Sequence, residues 1–104
     1  RIVTNASRRP YQRYIEASIF RPLGMSATGY DVRAVPPAAL ARGYRWEEGR
    51  WVAEPDMADG EFGAMGGIVT TPRDYARWMA FLLSAWPARN GADLGPVKRS
   101  TVRE

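Results

Sequence analysis

The sequence predicts a mainly α-helical chain with one small antiparallel β-hairpin, which places it in the α+β class. Apolar residues recur at helical spacing in two stretches that each follow a proline. Between them lies an aromatic-rich stretch divided by a short turn that contains glycine, the pattern of a hairpin. The length of 104 residues and the hydrophobic content of 45% suit one domain, so we expect a single compact unit.

The first predicted helix runs from about Pro10 to Phe20. Proline is favoured where a helix opens, and Pro22 ends the pattern. Gly24 then permits a left-handed residue in a tight turn, and we expect the Leu23 and Met25 side chains to point inward. One face of this helix consists of Tyr11, Tyr14, Ile15 and Ser18.

The hairpin is predicted in residues 44–52. Its arms carry Trp46 and Trp51, and the turn Glu-Glu-Gly places Gly49 where a positive φ is needed. Two strands alone are marginally stable, so we expect the two tryptophans to pack the hairpin against the helices or against further chain.

The strongest helical signal begins at Thr71. Thr71 is a natural N-cap, Pro72 suits the first helical position, and we expect the Asp74 side chain to reach back to the cap backbone. Arg73 and Arg77 fall on the polar side. The predicted apolar stripe is Tyr75, Trp78, Met79 and Leu82, widened by Ala76, Ala80 and Leu83.

Three glycines precede this helix, namely Gly63, Gly66 and Gly67. Glycine allows positive φ and close backbone approach, so we expect a loop that packs against other chain or lines a cleft. A phosphate cradle is disfavoured because no lysine follows at P-loop spacing.

Composition excludes several function classes. The chain has no cysteine and no histidine, which removes disulfides, thiol catalysis and the commonest metal ligands. The formal net charge of +4 comes mostly from arginine, and solvated faces account for it better than a nucleic-acid interface does. The acidic residues 54–61 do not match a calcium loop, so a solvated loop is expected there. No apolar run is long enough to span a membrane, and the compartment stays open.

Both ends of the chain look incomplete. The first residue is not methionine, residues 1–7 resemble the end of an element, and a last helix begins near Pro96 or Ser100 with barely one turn left. We therefore expect residues 1–104 to be one fragment, truncated at both ends.

Four blocks of the sequence, in this order, resemble the serine β-lactamase-like hydrolases, the group that holds class C β-lactamases, D-alanyl-D-alanine carboxypeptidases and related esterases. They are Tyr-x-x-Tyr-Ile-Glu with Ile-Phe-Arg-Pro-Leu-Gly-Met and Thr-Gly-Tyr in residues 11–30, Ala-Arg-Gly-Tyr in 41–44, Gly-Gly-Ile-Val-Thr-Thr with Asp-Tyr-Ala-Arg-Trp in 66–78, and Ser-Thr-Val-Arg-Glu in 100–104. The resemblance implies a fragment of the helical region of a β-lactamase-like fold.

The resemblance also implies where the chemistry lies. The family uses Ser-x-x-Lys, Tyr-x-Asn and Lys-Thr-Gly or His-x-Gly, and none of these motifs occurs here. The chain is therefore expected to be inactive alone, with no catalytic residue, no metal and no cofactor. Its implied role is helical support and one wall of the cleft for an ester or amide substrate, at Phe62, Met65, Gly66 and Gly67.

The wall departs from the class C pattern at one position. Those enzymes commonly carry an aromatic residue where this chain has Gly66, which favours an open-cleft esterase or peptidase over a cephalosporinase. The rival interpretation is a small basic interaction module that binds nucleic acid or associates with itself. If apolar helix faces are left bare, we expect a homodimer or a domain-swapped assembly that exchanges terminal segments.

Overall fold

The structure is a computed structural model that describes residues 1–55 and 63–104. Two compact units can be distinguished along the chain. The first, called here the helical unit, consists of Arg1–Gly29 and Val69–Glu104. The second, called the hairpin unit, is the intervening segment Tyr30–Ile68.

The regular elements confirm the predicted class, mainly α with one small antiparallel hairpin. Short 3-10 turns occupy Val32–Ala34 and Pro37–Ala39, and a π-helical turn occupies Glu16–Phe20. The described helices and strands are, in chain order, α1 Ile2–Ser7, α2 Tyr11–Ile15, β1 Tyr44–Glu47, β2 Arg50–Ala53, α3 Gly63–Gly66, α4 Pro72–Leu83 and α5 Arg99–Val102.

The predicted helix from Pro10 to Phe20 is confirmed in extent but not in detail. Pro10 is the N-cap residue of α2, and from Glu16 onward the helix widens into the π-helical turn. Gly24 adopts the expected positive φ of 68° in the following turn. Met25 is buried, as the tight turn requires.

Helix α4 begins where the sequence predicts. Thr71 is its N-cap, and the Thr71 Oγ1 accepts a hydrogen bond of 3.2 Å from the Asp74 amide, while Pro72 is the first helical residue. The expectation that the Asp74 carboxylate turns back to the cap is wrong. It hydrogen-bonds instead to residues of the turn after Gly24 and to the next turn of α4.

The buried face of α4 also differs from the predicted stripe. The core side holds Asp74, Phe81 and, just beyond the helix, Ala85, with Trp78 half-buried beside Phe81 at 5.5 Å between ring centroids. A pattern built from apolar residues alone misses this face because its first member is a carboxylate. The neighbouring face is exposed and carries Tyr75, Met79, Leu83 and, after the helix, Trp86.

The hairpin unit contains the predicted hairpin, with strands paired in the register Trp46 to Trp51. Gly49 has the expected positive φ of 80°. Within the described chain the two tryptophans are not buried in a core, and their packing on further chain stays a prediction. Their side chains are 61% and 67% exposed and contact each other edge to face, 5.2 Å between centroids, so they act as a cross-strand pair.

The end of α4 is held by two later arginines. Arg89 Nη2 donates to the carbonyl of Ser84 at 3.0 Å, and Arg103 Nη1 donates to the carbonyl of Ala85 at 2.6 Å. Cationic donors are favoured there because the last carbonyls of a helix lack partners and carry partial negative charge. Across the described helices, none is long and apolar enough to cross a membrane.

Candidate cleft-wall segment and the Asp74 cluster

The predicted cleft wall, residues 62–67, is called here the wall segment. Phe62 lies outside the described residues. The remainder is not the open loop that the glycines suggested: Gly63–Gly66 forms the single-turn helix α3, closed by a 3.0 Å bond from the Gly67 amide to the Gly63 carbonyl. Gly66 has no positive φ, and among the described residues no atom beyond its chain neighbours lies within 4 Å of where its Cβ would stand, so close backbone approach does not explain a glycine at this position.

The wall segment presents one large side chain to solvent. Gly63 and Gly67 are buried within it, whereas Met65 is 83% exposed and Gly66 is exposed beside it. A thioether is apolar and polarisable, and it adapts to varied partners. No group between Gly63 and Ile68 can act as nucleophile, acid or base, so this surface is able to contact a substrate but not to transform it.

The chain passes from the wall segment into the helical unit at Val69. Val69 pairs antiparallel with Gly29: the Gly29 amide donates to the Val69 carbonyl at 3.0 Å and the Val69 amide donates back at 2.9 Å. The hydroxyls of the flanking Thr28 and Thr70 are 2.8 Å apart. We call Thr28, Gly29, Val69 and Thr70 the neck, because the chain leaves the helical unit after Gly29 and returns at Val69.

A buried carboxylate lies beside the neck. Asp74 is 1% exposed, and its Oδ2 accepts from the Ala27 amide at 2.7 Å and from the Thr28 hydroxyl at 2.9 Å. Its Oδ1 accepts from Arg77 Nη1 at 2.6 Å, and the same nitrogen donates to the Gly24 carbonyl at 2.7 Å. These residues, with Thr70, form what we call the Asp74 cluster.

The Asp74 cluster favours an ionised carboxylate. Burial by itself raises the pKa of Asp74, but the hydrogen bonds from the Ala27 amide, the Thr28 hydroxyl and the Arg77 guanidinium stabilise the charged form more strongly. The pKa of Asp74 therefore lies below its ordinary value. Within the described chain no buried side-chain nitrogen or oxygen is left without a partner, which agrees with a fully satisfied cluster.

The ionised state of Asp74 fixes the direction of the hydroxyl bonds. A carboxylate can only accept, so Thr28 gives its single hydrogen to Asp74. Thr70 must then donate to the Thr28 oxygen. The charge on Asp74 thus orders the hydroxyls on both sides of the neck.

Sequence reasoning singled out Asp74 for the wrong task. The Thr-Pro-x-Asp pattern indicated a local helix cap, and the cap bond to the Asp74 amide is present. The Asp74 carboxylate, however, accepts hydrogen bonds from the Ala27 amide and the Thr28 hydroxyl, which lie more than forty positions earlier in the chain. No local pattern signals such a contact, although a polar residue on the inner side of an amphipathic helix is a general indication of one.

Outside the Asp74 cluster, the serine hydroxyls that the structure describes with partners bond to the backbone. Ser7 Oγ donates to the Arg9 carbonyl and Ser84 Oγ to the Phe81 carbonyl. Within the described ranges, no three acidic, histidine or cysteine side chains come together to hold a metal ion. The described residues thus offer contact surfaces and a structural ion pair rather than a reacting group.

Comparisons with known proteins agree with the resemblance of the sequence blocks. A human protein described as beta-lactamase-like 1 is 30% identical over 88 residues, which make up 85% of this chain and 17% of the human protein. The chain therefore spans less than a fifth of that relative. No solved structure matches. The family model described as Beta-lactamase matches residues 1–103, nearly the whole sequence. This chain belongs to the beta-lactamase family.

Proposed function

We propose that this chain is part of a serine hydrolase that works through an acyl-enzyme, of the esterase or peptidase type. It supplies helical support and one wall of the substrate cleft, and the nucleophile and its activating groups lie outside residues 1–104. The substrate is a small ester or amide, and no metal or organic cofactor takes part. The observation that carries the proposal is the family match over residues 1–103 in a sequence without Ser-x-x-Lys, Tyr-x-Asn or Lys-Thr-Gly.

Within this proposal the exposed Met65 and Gly66 contact the substrate, and Phe62 and the buried Gly67 complete the wall. Support comes from the 83% exposure of Met65 and from the space around Gly66, where no described side chain beyond the chain neighbours lies close to the position of a Cβ. Together they form an apolar and open surface. An open wall of this kind suits an ester or amide with a bulky acyl group. An aromatic residue at Gly66 would narrow it.

The test is a graft into an active family enzyme, with residues 1–103 replacing the matching segment. Truncating Met65 to alanine removes part of an apolar contact, so kcat/KM for an aryl ester should fall roughly three- to tenfold. Leu94→Ala is the matched control, because Leu94 is 97% exposed and lies in the helical unit. Equal kcat/KM for the two variants would contradict the wall assignment.

A second variant tests the open cleft. Gly66→Tyr adds a ring where no atom of the described residues, beyond the chain neighbours, lies within 4 Å of the new Cβ, so the described part of the fold should accept it. KM for a bulky ester should rise while KM for an acetyl ester stays near its original value. A uniform change for both esters would argue against steric control at this position.

A second candidate role is self-association, favoured by the exposed apolar face of α4. Tyr75, Met79, Leu83 and Trp86 are 54%, 38%, 65% and 51% exposed along one side. A second copy of the chain, in a homodimer or a domain-swapped assembly, would cover this face. Sedimentation at micromolar concentration tests it: Leu83→Glu should dissociate the assembly, and Leu94→Glu should not. A monomer in every case contradicts this role.

A further inference from the structure

We propose that Asp74 is a positioning residue whose carboxylate clamps the neck, and so holds together the two points where the segment Tyr30–Ile68 leaves and rejoins the helical unit. The wall segment ends two residues before Val69. The importance of the clamp for substrate binding therefore rests on the proposed function, whereas the clamp itself does not.

The neck is a small structure that needs support. Its backbone pairing is an isolated bridge between Gly29 and Val69, and two short paired stretches without a larger sheet are marginal in water. Asp74 adds two bonds to the outgoing side, at Ala27 and Thr28. Hydrogen bonds to a charged group are stronger than those between neutral groups, so these additions are substantial beside the bridge.

The clamp also reaches the returning side of the neck. Because the carboxylate takes the Thr28 hydrogen, Thr70 must donate to Thr28 across the neck, over 2.8 Å. One charge therefore links the outgoing and the returning strand through an ordered pair of hydroxyls. Without that charge the hydroxyl pair loses its fixed direction.

Among the described contacts, the ionisable group that faces Asp74 is Arg77, one turn later on α4. The turn residues 24–28 and the stretch 69–71 contain no titratable side chain. The Arg77 guanidinium bonds to Asp74 and to the Gly24 carbonyl, so it ties the turn to the same carboxylate. The clamp is thus one acid, one guanidinium and neutral donors.

Amide hydrogen exchange tests the proposal on the chain itself. Asp74→Asn keeps the shape of the side chain but removes its charge. The amides of Gly29 and Val69 should then exchange about tenfold faster or more, the effect of losing a charge-assisted hydrogen bond. Two amides that belong neither to the neck nor to the Asp74 cluster serve as internal references, Glu54, bonded to Gly43, and Ser84, bonded to Ala80, and both should change by less than twofold.

Two further variants sharpen the experiment. Thr28→Val removes only the hydroxyl that links Asp74 to Thr70, and it should accelerate the same neck amides by a smaller factor; it also decides the matter if Asp74→Asn does not fold. Asp93→Asn removes an exposed carboxylate paired with Arg99 and should leave the neck amides unchanged.

Two results would overturn the clamp. One is unchanged exchange at Gly29 and Val69 in both Asp74→Asn and Thr28→Val. The other is equal acceleration of the neck and reference amides, because that pattern means global destabilisation. Neither result involves substrate, so the wall assignment stands or falls separately in the grafted enzyme.

Discussion

Replacing Asp74 by alanine should cost a large part of the stability of the helical unit. Two partly buried donors lose their acceptor, the Ala27 amide at 2.7 Å and the Thr28 hydroxyl at 2.9 Å. Each such loss costs about 1.5–3 kcal/mol when the acceptor is charged. The Arg77 side chain is 43% exposed and keeps its bond to Gly24, so its share is at most about 1 kcal/mol after solvent screening.

The expected total is about 3–7 kcal/mol, against roughly 5–15 kcal/mol for the whole stability of a small domain. Urea unfolding followed by tryptophan fluorescence measures it. Asp93→Ala is the matched control, because Asp93 is also paired with an arginine but is solvent-accessible, and it should shift the midpoint far less. Equal midpoints for the two variants would refute the reasoning.

The same variant carries a pH prediction with a definite sign. Because the pKa of folded Asp74 lies below its ordinary value, its stabilisation is complete above an ordinary aspartate pKa of about 3.9 and is lost as the pH falls through the lowered value. The stability gap between the original chain and Asp74→Ala should therefore be full near about pH 7 and shrink below about pH 4. A gap that stays constant into acid would contradict an ionised Asp74.

Two glycines and the basic charge of the chain give three further predictions. Gly95→Ala should destabilise by about 1–3 kcal/mol through overpacking, because its Cβ would stand 2.5 Å from Phe81 Cε2, and Gly66→Ala, with open space around it, is the comparison in the same urea assay. Gly49→Ala should cost about 1 kcal/mol and weaken the hairpin, since its φ of 80° disfavours a side chain, as far-ultraviolet circular dichroism and urea unfolding would detect. Binding to duplex or single-stranded DNA should be weak and vanish near physiological salt; a tight, sequence-selective complex in a fluorescence titration would reverse that expectation.

Local chemistry made much of the fold predictable. Thr71 and Pro72 determine the start of α4 through a side-chain cap and a fixed φ, effects confined to one turn. Gly24 and Gly49 mark turns because each has a positive φ. Helix starts and tight turns depend on residues that are neighbours in the sequence, so they can be predicted from one sequence.

The predictions fail where contacts between different elements, and not a local pattern, determine which side chains are buried. The inner face of α4 was misassigned because Asp74 is buried by hydrogen bonds from Ala27 and Thr28, which no local pattern reveals. Trp46 and Trp51 were expected to pack on the helices or on further chain; in the described chain they contact each other, because they stand opposite in the register of the hairpin. The sequence shows at which positions the large apolar side chains stand, but not which surface covers them.

For the wall segment, the sequence predicts a position but did not predict the conformation. Its position at residues 62–67 was inferred from family resemblance, and its chemistry from Met65 and the glycines. Its conformation was expected to be a loop because glycine allows positive φ and close backbone approach, yet residues 63–66 complete one helical turn, closed by the Gly67 amide. Its contact with substrate is a proposal that rests on the family match, because no residue within the segment carries a reacting group.

We propose that these residues support and shape a hydrolase site whose chemistry lies outside residues 1–104. Turnover of a chromogenic cephalosporin and of a p-nitrophenyl ester by the purified chain tests this proposal. We expect rates equal to buffer alone, because the sequence has no Ser-x-x-Lys, no Tyr-x-Asn and no histidine. Turnover above the buffer rate that a substitution within residues 1–104 abolishes would contradict it.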